Sequence, residues 1–437
     1  AGTAGTAGTA GTAGTAGTAG TTDTAGTTDT TGTTDTTGAG TDGKPVPVLG
    51  DPDFVAFAPD YVAPDPTVAA GIDPATGEAL VDGAGASATD LGFDPATGVA
   101  RTIDTLDATS LGALGDDALK NLSSDQIGTL DAAAVGGLSS DQLGNLAPGA
   151  VAGLTGDQLG GLSTDAIAGF SGSQAAGLNT DAISSLSGDQ LGGMTAAAMS
   201  GFGATQTAAF DTAAVAGLGA DQLGGMTGAA ISGLGKDQMA ALDPTAMGGL
   251  GATQAAGMAP TAMAGLGADQ MAALDPIAMA GFGADQMAAL DPTAMAGFGA
   301  DQMGGMTAAA MGGFGADQMA ALDPTAMAGF GADQMGGMTA AAMGGLDATQ
   351  MAALDPTAMA GLGADQMSGM TAAAIGGLDA TQMAALDPTA MAGLGKDQMR
   401  GMTSDAMAGF DAAQMAALDA DAMGGFDATQ MAALDAD

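Results

Sequence analysis

From Leu106 to Leu434 a Leu, Phe or Met returns at every eighth position, through 328 residues and 41 octads without one insertion or deletion. A domain with loops of varied length loses such a phase. A solenoid, in which each unit rests on its neighbours, has to keep it.

Each octad reads as one short helix. In Leu122-Ser123-Ser124-Asp125-Gln126-Ile127-Gly128-Thr129 the residue after the large apolar one is an N-cap, and Gln126, three further on, completes a capping box. Leu122 and Ile127 then stand at the two positions of a hydrophobic staple. In Leu242-Asp243-Pro244-Thr245-Ala246-Met247-Gly248-Gly249 the proline falls at the first helical residue, where its missing N–H is not needed. Gly and Ala pairs close the octads, which predicts a stop after one or two turns and a close approach of the next element. A continuous helix would have to absorb Pro244, Pro260, Pro276, Pro292, Pro324, Pro356 and Pro388 at about 3 kcal/mol each. A β-solenoid would want β-branched residues where this chain has Ala, Gln, Met and Asp-Pro.

Octads alternate in kind, with Gln at 126, 142, 158, 174, 190, 206, 222 and 238 and Ala at 134, 150, 166, 182, 198, 214, 230 and 246. The sequence therefore predicts an all-α repeat: a solenoid of short capped helices, its 8-residue repeat paired into 16-residue coils. On that reading a file of Gln lies on one face and a file of Ala on the other. Helix packing distances of about 8–10 Å would give a rod on the order of 160–200 Å.

Two segments precede the solenoid. Residues 1–43 are a low-complexity arm of Gly, Thr and Ala with a few Asp, Gly recurring at every third position from Gly2 to Gly20. It lacks the large side chains a core needs, and reads as a solvated tether whose threonines suit O-glycans; a collagen-like assembly lacks its proline. Residues 44–105 read as a small Pro-rich β-type cap, with two Asp-Pro-Ala-Thr-Gly turns at 73–77 and 94–98. Residues 106–437 are the repeat.

Composition excludes most chemistry. The chain has 49 acidic and 6 basic side chains, a formal charge of −43, and neither His, Cys nor Trp. Without imidazole or thiol there is no Ser/His/Asp or Cys/His relay, no His or Cys metal site and no disulfide. We read the protein as no enzyme and assign no catalytic, cofactor-binding or metal-ligating residue. Nucleic acid and anionic lipid are repelled for want of Lys and Arg. The uncharged run Gln190 to Phe210 carries too many Gln, Thr, Ser and Gly to cross a bilayer. The chain opens on Ala1 without a basic-then-apolar leader, which fits a processed secreted protein or a portion of something longer.

The methionine file suggests soft-metal ligation. Its positions, however, are held by Ile127, Val135, Leu143, Val151 and Ile167 in early octads and by Met239, Met247, Met263 and Met271 later, which is how a space-filling residue behaves. Ala175, Thr207 and Ala255 break the file and predict underpacking. Asp125, Asp141, Asp157, Asp189, Asp221, Asp237 and Asp269 precede Gln, while Asp131, Asp211, Asp243 and Asp275 stand at caps. These carboxylates complement helix N-termini and keep the chain soluble. As regular files of oxygen ligands they also suit Ca²⁺, although no Asp-x-Asp-x-Asp-Gly loop is present and Asp419-Ala420-Asp421 is too short a cluster.

The repeat, as in Leu138-Ser139-Ser140-Asp141-Gln142-Leu143 and Leu154-Thr155-Gly156-Asp157-Gln158-Leu159, resembles the Leu-Thr-x-x-Gln-Leu octad tracts of some long bacterial cell-surface and adhesin-like proteins. The likeness spans residues 106–437; Gly often replaces Thr at the cap and Met replaces Leu. It implies export and a structural or adhesive role. Two functions are therefore expected. One is a rod-like subunit of an extracellular filament, sheath or stalk that self-associates into a homopolymer. The other is a secreted adhesin presenting Gln, Thr and Asp to polysaccharide, mineral or ice, with Ca²⁺ as the one cofactor that fits.

Overall fold

A computed structural model of the chain describes residues 106–434. The Gly/Thr arm of 1–43 and the β-type cap of 44–105 lie outside the described residues. Among those described there are 41 short helices, one to each octad, and no strand.

Local chemistry sets each helix as the octad pattern predicts. Ser123, extended at φ −88° and ψ 166°, accepts from the Gln126 N–H, and the Gln126 side chain accepts from the Ser123 N–H at 2.8 Å. The helix Ser124–Thr129 ends when Leu130, the first residue of the next octad, returns to extended backbone at φ −67° and ψ 145°. Glycine caps supply only half of the box: in Gly203–Gln206 the amide oxygen of Gln206 accepts from the Gly203 N–H at 2.9 Å, with no side chain to answer. Pro244, Pro260, Pro276, Pro292, Pro324, Pro356 and Pro388 all stand at the start of their helices, as expected. Five of these octads are 3-10 rather than α: Pro244–Gly249, Pro292–Gly297, Pro324–Gly329, Pro356–Gly361 and Pro388–Gly393.

The winding corrects the sequence reading. The main packed pairs lie three octads apart, such as Ala220–Gly225 against Pro244–Gly249 and Ala332–Gly337 against Pro356–Gly361. Side-chain amides reach further back, to carbonyls 28 and 31 residues earlier, as from Gln158 to Leu130 and Ile127. A turn of the superhelix thus takes more than three and fewer than four octads, not the two of a 16-residue coil. The joint explains it. At the joint between Ser124–Thr129 and Ala132–Gly136 only two residues, Leu130 and Asp131, intervene, both extended, and a joint so short turns the chain at a corner. A polygon of more than three sides closes where a two-sided hairpin cannot. The rod length estimated from 16-residue coils falls with them.

The polygon encloses one continuous apolar column. The octad-leading residues line it at a few per cent exposure, as with Leu122 at 5% and Leu290 at 3%, and the staple residues sit deeper, with Ile167, Met247, Met311 and Met391 all at 0%. The methionine file is core, as read from its exchange with Ile and Val.

Of the two roles expected of glycine, the close approach of another element is the one that decides the packing. None of the described glycines takes a positive φ; Gly137 and Gly161 sit at φ −85° and −80°. Their value is space. A Cβ on Gly329 would fall inside the Ala300 carbonyl, and one on Gly361 inside that of Ala332, each 29 residues earlier on the turn beneath. Substituting Gly329→Ala should therefore cost about 2 kcal/mol or more in thermal unfolding, the range for overpacking a tight contact. Gly149→Ala, where an added Cβ meets nothing within 4 Å, should be neutral or slightly stabilising. Phase should matter more than side-chain identity. One residue inserted after Gly249 separates Gln254 and Gln270 from their partners at Gly224, Met226, Met239 and Leu242. The insertion should lower the melting temperature well beyond Met247→Leu, a volume-conserving exchange that costs under ~1.5 kcal/mol.

Candidate functional site

The polar chemistry of the repeat divides into an inward set and an outward set. The inward set is the glutamine file, which the sequence placed on a face and the structure places in the wall. Gln158, Gln174, Gln350 and Gln382 are 1–2% exposed. In Gln350 the amide oxygen accepts from the Asp347 N–H at 2.9 Å, while Nε2 donates to the Met319 carbonyl at 2.8 Å and to the Leu322 carbonyl at 2.9 Å. One side chain thus caps its own helix and ties it to the joint between two octads of the preceding turn. The same bracket recurs at Gln270, Gln318, Gln382, Gln414 and Gln430. At Gln222 and Gln334, which lie over Gly192-Gly193 and Gly304-Gly305, the amide is less buried and bonds one residue along, at Gly192 and Gly304. Every buried side-chain nitrogen and oxygen among the described residues has a partner.

The three breaks in the staple file are fully buried: Ala175, Thr207 and Ala255 are at 0%. At Thr207 the hydroxyl donates to the Ala230 carbonyl at 2.6 Å, and Phe202 and Phe210 pack edge to face with ring centroids 5.2 Å apart. Thr207 is thus tied by a polar contact to the turn that follows.

The outward set is carboxylate. Asp125, Asp141, Asp157, Asp189, Asp221, Asp237 and Asp269 are all exposed, as are the caps Asp131, Asp211, Asp243 and Asp275. Their pairing with cations is slight: Lys120 with Asp117 at 3.8 Å and Arg400 with Asp397 at 3.4 Å, both exposed pairs three residues apart. A shallow groove brings together Asp116, Asp141, Ser140 and Asn145. Nowhere among the described residues do three His, Cys, Asp or Glu side chains converge as metal ligands would. No helix there is long and apolar enough to cross a membrane.

Five caps form a distinct class that the sequence reading passed over. In Asp243-Pro244-Thr245 one carboxylate oxygen accepts from the Thr245 N–H at 2.8 Å and from its hydroxyl at 2.6 Å. Asp291, Asp323, Asp355 and Asp387 are bonded alike. The threonine hydroxyl first, and its N–H second, hold these carboxyls below the ordinary aspartate value. The signal was present in the recurring Asp-Pro-Thr triplet.

Comparison of the chain with protein-family models, with curated proteins and with solved structures found no match.

The bracket predicts a sharp response to isosteric change. Gln350→Glu turns the amide donor toward two carbonyls as a carboxylate, and should cost about 3 kcal/mol or more near neutral pH, measured by chemical denaturation. Protonation restores a donor, so the loss should shrink in acid. For the five caps, the lowered folded-state value means that their stabilisation is complete above the unfolded aspartate value and is lost as pH falls through the folded one. In a carboxyl NMR titration, Thr325→Val should raise the midpoint of Asp323 and leave that of Asp387 unmoved.

Proposed function

We propose that the protein is structural: its repeat region is an extracellular, self-supporting superhelical element, the rod of a filament, sheath or stalk built from many copies. The observation that carries this reading is the uniform turn-to-turn bracket. From Gln158 to Gln430 the same amide ties each turn to the one before, so length is added by repetition without a change of plan. Surface chemistry supports it as well. The exposed positions carry mainly Asp, Thr, Ser, Ala and Gly, side chains small enough for neighbouring rods to lie close, with a carboxylate in most octads to hold them apart at low salt. The extracellular setting rests on the octad resemblance.

The adhesin reading loses part of its surface. Glutamine side chains committed to the wall are not available to polysaccharide, mineral or ice, and what would remain is Thr and Asp. Ca²⁺ enters either reading only as a bridge between carboxylates of neighbouring copies.

Light scattering and electron microscopy of the purified full-length chain distinguish the two. Screening of like charge beyond about 8 Å at physiological ionic strength should drive lateral association into uniform fibres. Sodium and potassium should act alike, and a selective response to Ca²⁺ at matched ionic strength that Asp141→Asn, Asp157→Asn and Asp189→Asn abolish would place bridges on that file. Monodisperse particles at every salt concentration that adsorb to a polysaccharide or mineral would overturn the filament reading in favour of the adhesin.

A further inference from the structure

Six Asp-Pro peptide bonds lie within the described residues, and one differs from the rest. Asp243, Asp291, Asp323, Asp355 and Asp387 are each braced by the hydroxyl of a threonine two residues on, and the octads they open are 3-10 helices. In the sixth, Asp275-Pro276-Ile277, isoleucine replaces threonine. Asp275 accepts only from the Ile277 N–H, at 2.8 Å, and the octad is the α-helix Pro276–Met279. Solvent access differs too. Pro244, Pro292, Pro324, Pro356 and Pro388 are half-buried, whereas Asp275, Pro276 and Ile277 are all exposed, Ile277 at 72%.

We propose that the Asp275–Pro276 bond is a self-cleavage point of this protein, opened by acid. The chemistry needs only water and a proton. A carboxylate oxygen of Asp275 attacks the carbonyl carbon of its own residue and closes a five-membered anhydride. The bond from that carbon to the proline nitrogen breaks as the nitrogen takes a proton, and proline leaves as a secondary amine. Water then opens the anhydride, leaving Asp275 as a new C-terminus and Pro276 as a new N-terminus. At the five braced sites the threonine hydroxyl adds a second hydrogen bond that must break before the carboxylate can turn onto its own carbonyl carbon, while the half-buried proline limits access of the proton. Asp275 has neither restraint. The bond is also bridged from above, since Gln286 bonds back to Ala255 and Met258 and Gln302 to Met271 and Leu274. Cleavage therefore leaves two halves that stay joined until the fold is loosened.

The test holds the full chain at the lowest pH at which its far-UV circular dichroism is unchanged and follows intact mass with time. Fragments ending at Asp275 and starting at Pro276 should appear about fivefold faster than those from the other five described Asp-Pro bonds, the factor expected for loss of one hydrogen bond. They should co-elute on size exclusion and separate in urea. Ile277→Thr should slow this cut severalfold toward the rate of the others, Thr325→Ile should raise the rate at Asp323–Pro324, and Asp275→Asn should abolish the first cut. Equal rates at all six bonds in the folded chain, or an unchanged rate in Ile277→Thr, would overturn the proposal.

Discussion

A primary amide buried between two turns has few ways to be satisfied, and here it uses three bonds at once. Each hydrogen bond adds on the order of 1 kcal/mol net, while fixing a glutamine side chain costs about 1.5–2 kcal/mol of rotamer freedom. The gain per bracket is accordingly modest. The penalty for a wrong arrangement is not: a slip of one residue leaves an amide and two carbonyls unpaired in the wall, at roughly 1–3 kcal/mol each. The bracket thus acts less as glue than as a register lock. A chain that keeps its octad phase from Leu106 to Leu434 is what such a lock requires.

The lock works only if the turns come close enough for a glutamine to span them, and that depends on absent side chains. Gly153 lies over Ser124, Gly201 over Gly172 and Gly329 over Ala300, with backbone against backbone and no room for a methyl between. Close backbones leave a narrow interior, in which the staple residue has to fit whatever shape the turns above and below present. Methionine, unbranched and with three rotatable bonds, suits that position, and Met295, Met303, Met311, Met319 and Met327 follow one another at 0% exposure.

What the sequence revealed was local. Caps, boxes, staples and the place of proline all depend on neighbours within one octad, and Ser123, Gln126, Leu122, Ile127 and Pro244 stand where the pattern placed them. The number of octads per turn was not legible, because it depends on the angle between two extended residues at each joint, and no residue type marks that angle. Glutamine misled for a related reason. Three residues after a cap it reads as a capping partner, which it is, but its second role is spent on carbonyls 28 to 31 residues away, and no local pattern reports that distance. The Asp-Pro-Thr triplet could have been found from the start, since a hydroxyl two residues after a cap is within reach of its carboxylate.

Division of labour between the two polar sets also explains how a chain of such charge holds together. The turn-to-turn contacts are made by neutral amides, backbone carbonyls and apolar side chains, none of which changes with pH or salt over the ordinary range. The carboxylates stand outside that wall, in water, where a Debye length of about 8 Å limits how far each one acts. Repulsion among them consequently bears on what approaches the outside of the superhelix and only weakly on the stacking within it. The register is in this way set by groups other than the carboxylates, and surface charge can be screened or neutralised without loosening what Gln158, Gln350 and their equivalents maintain.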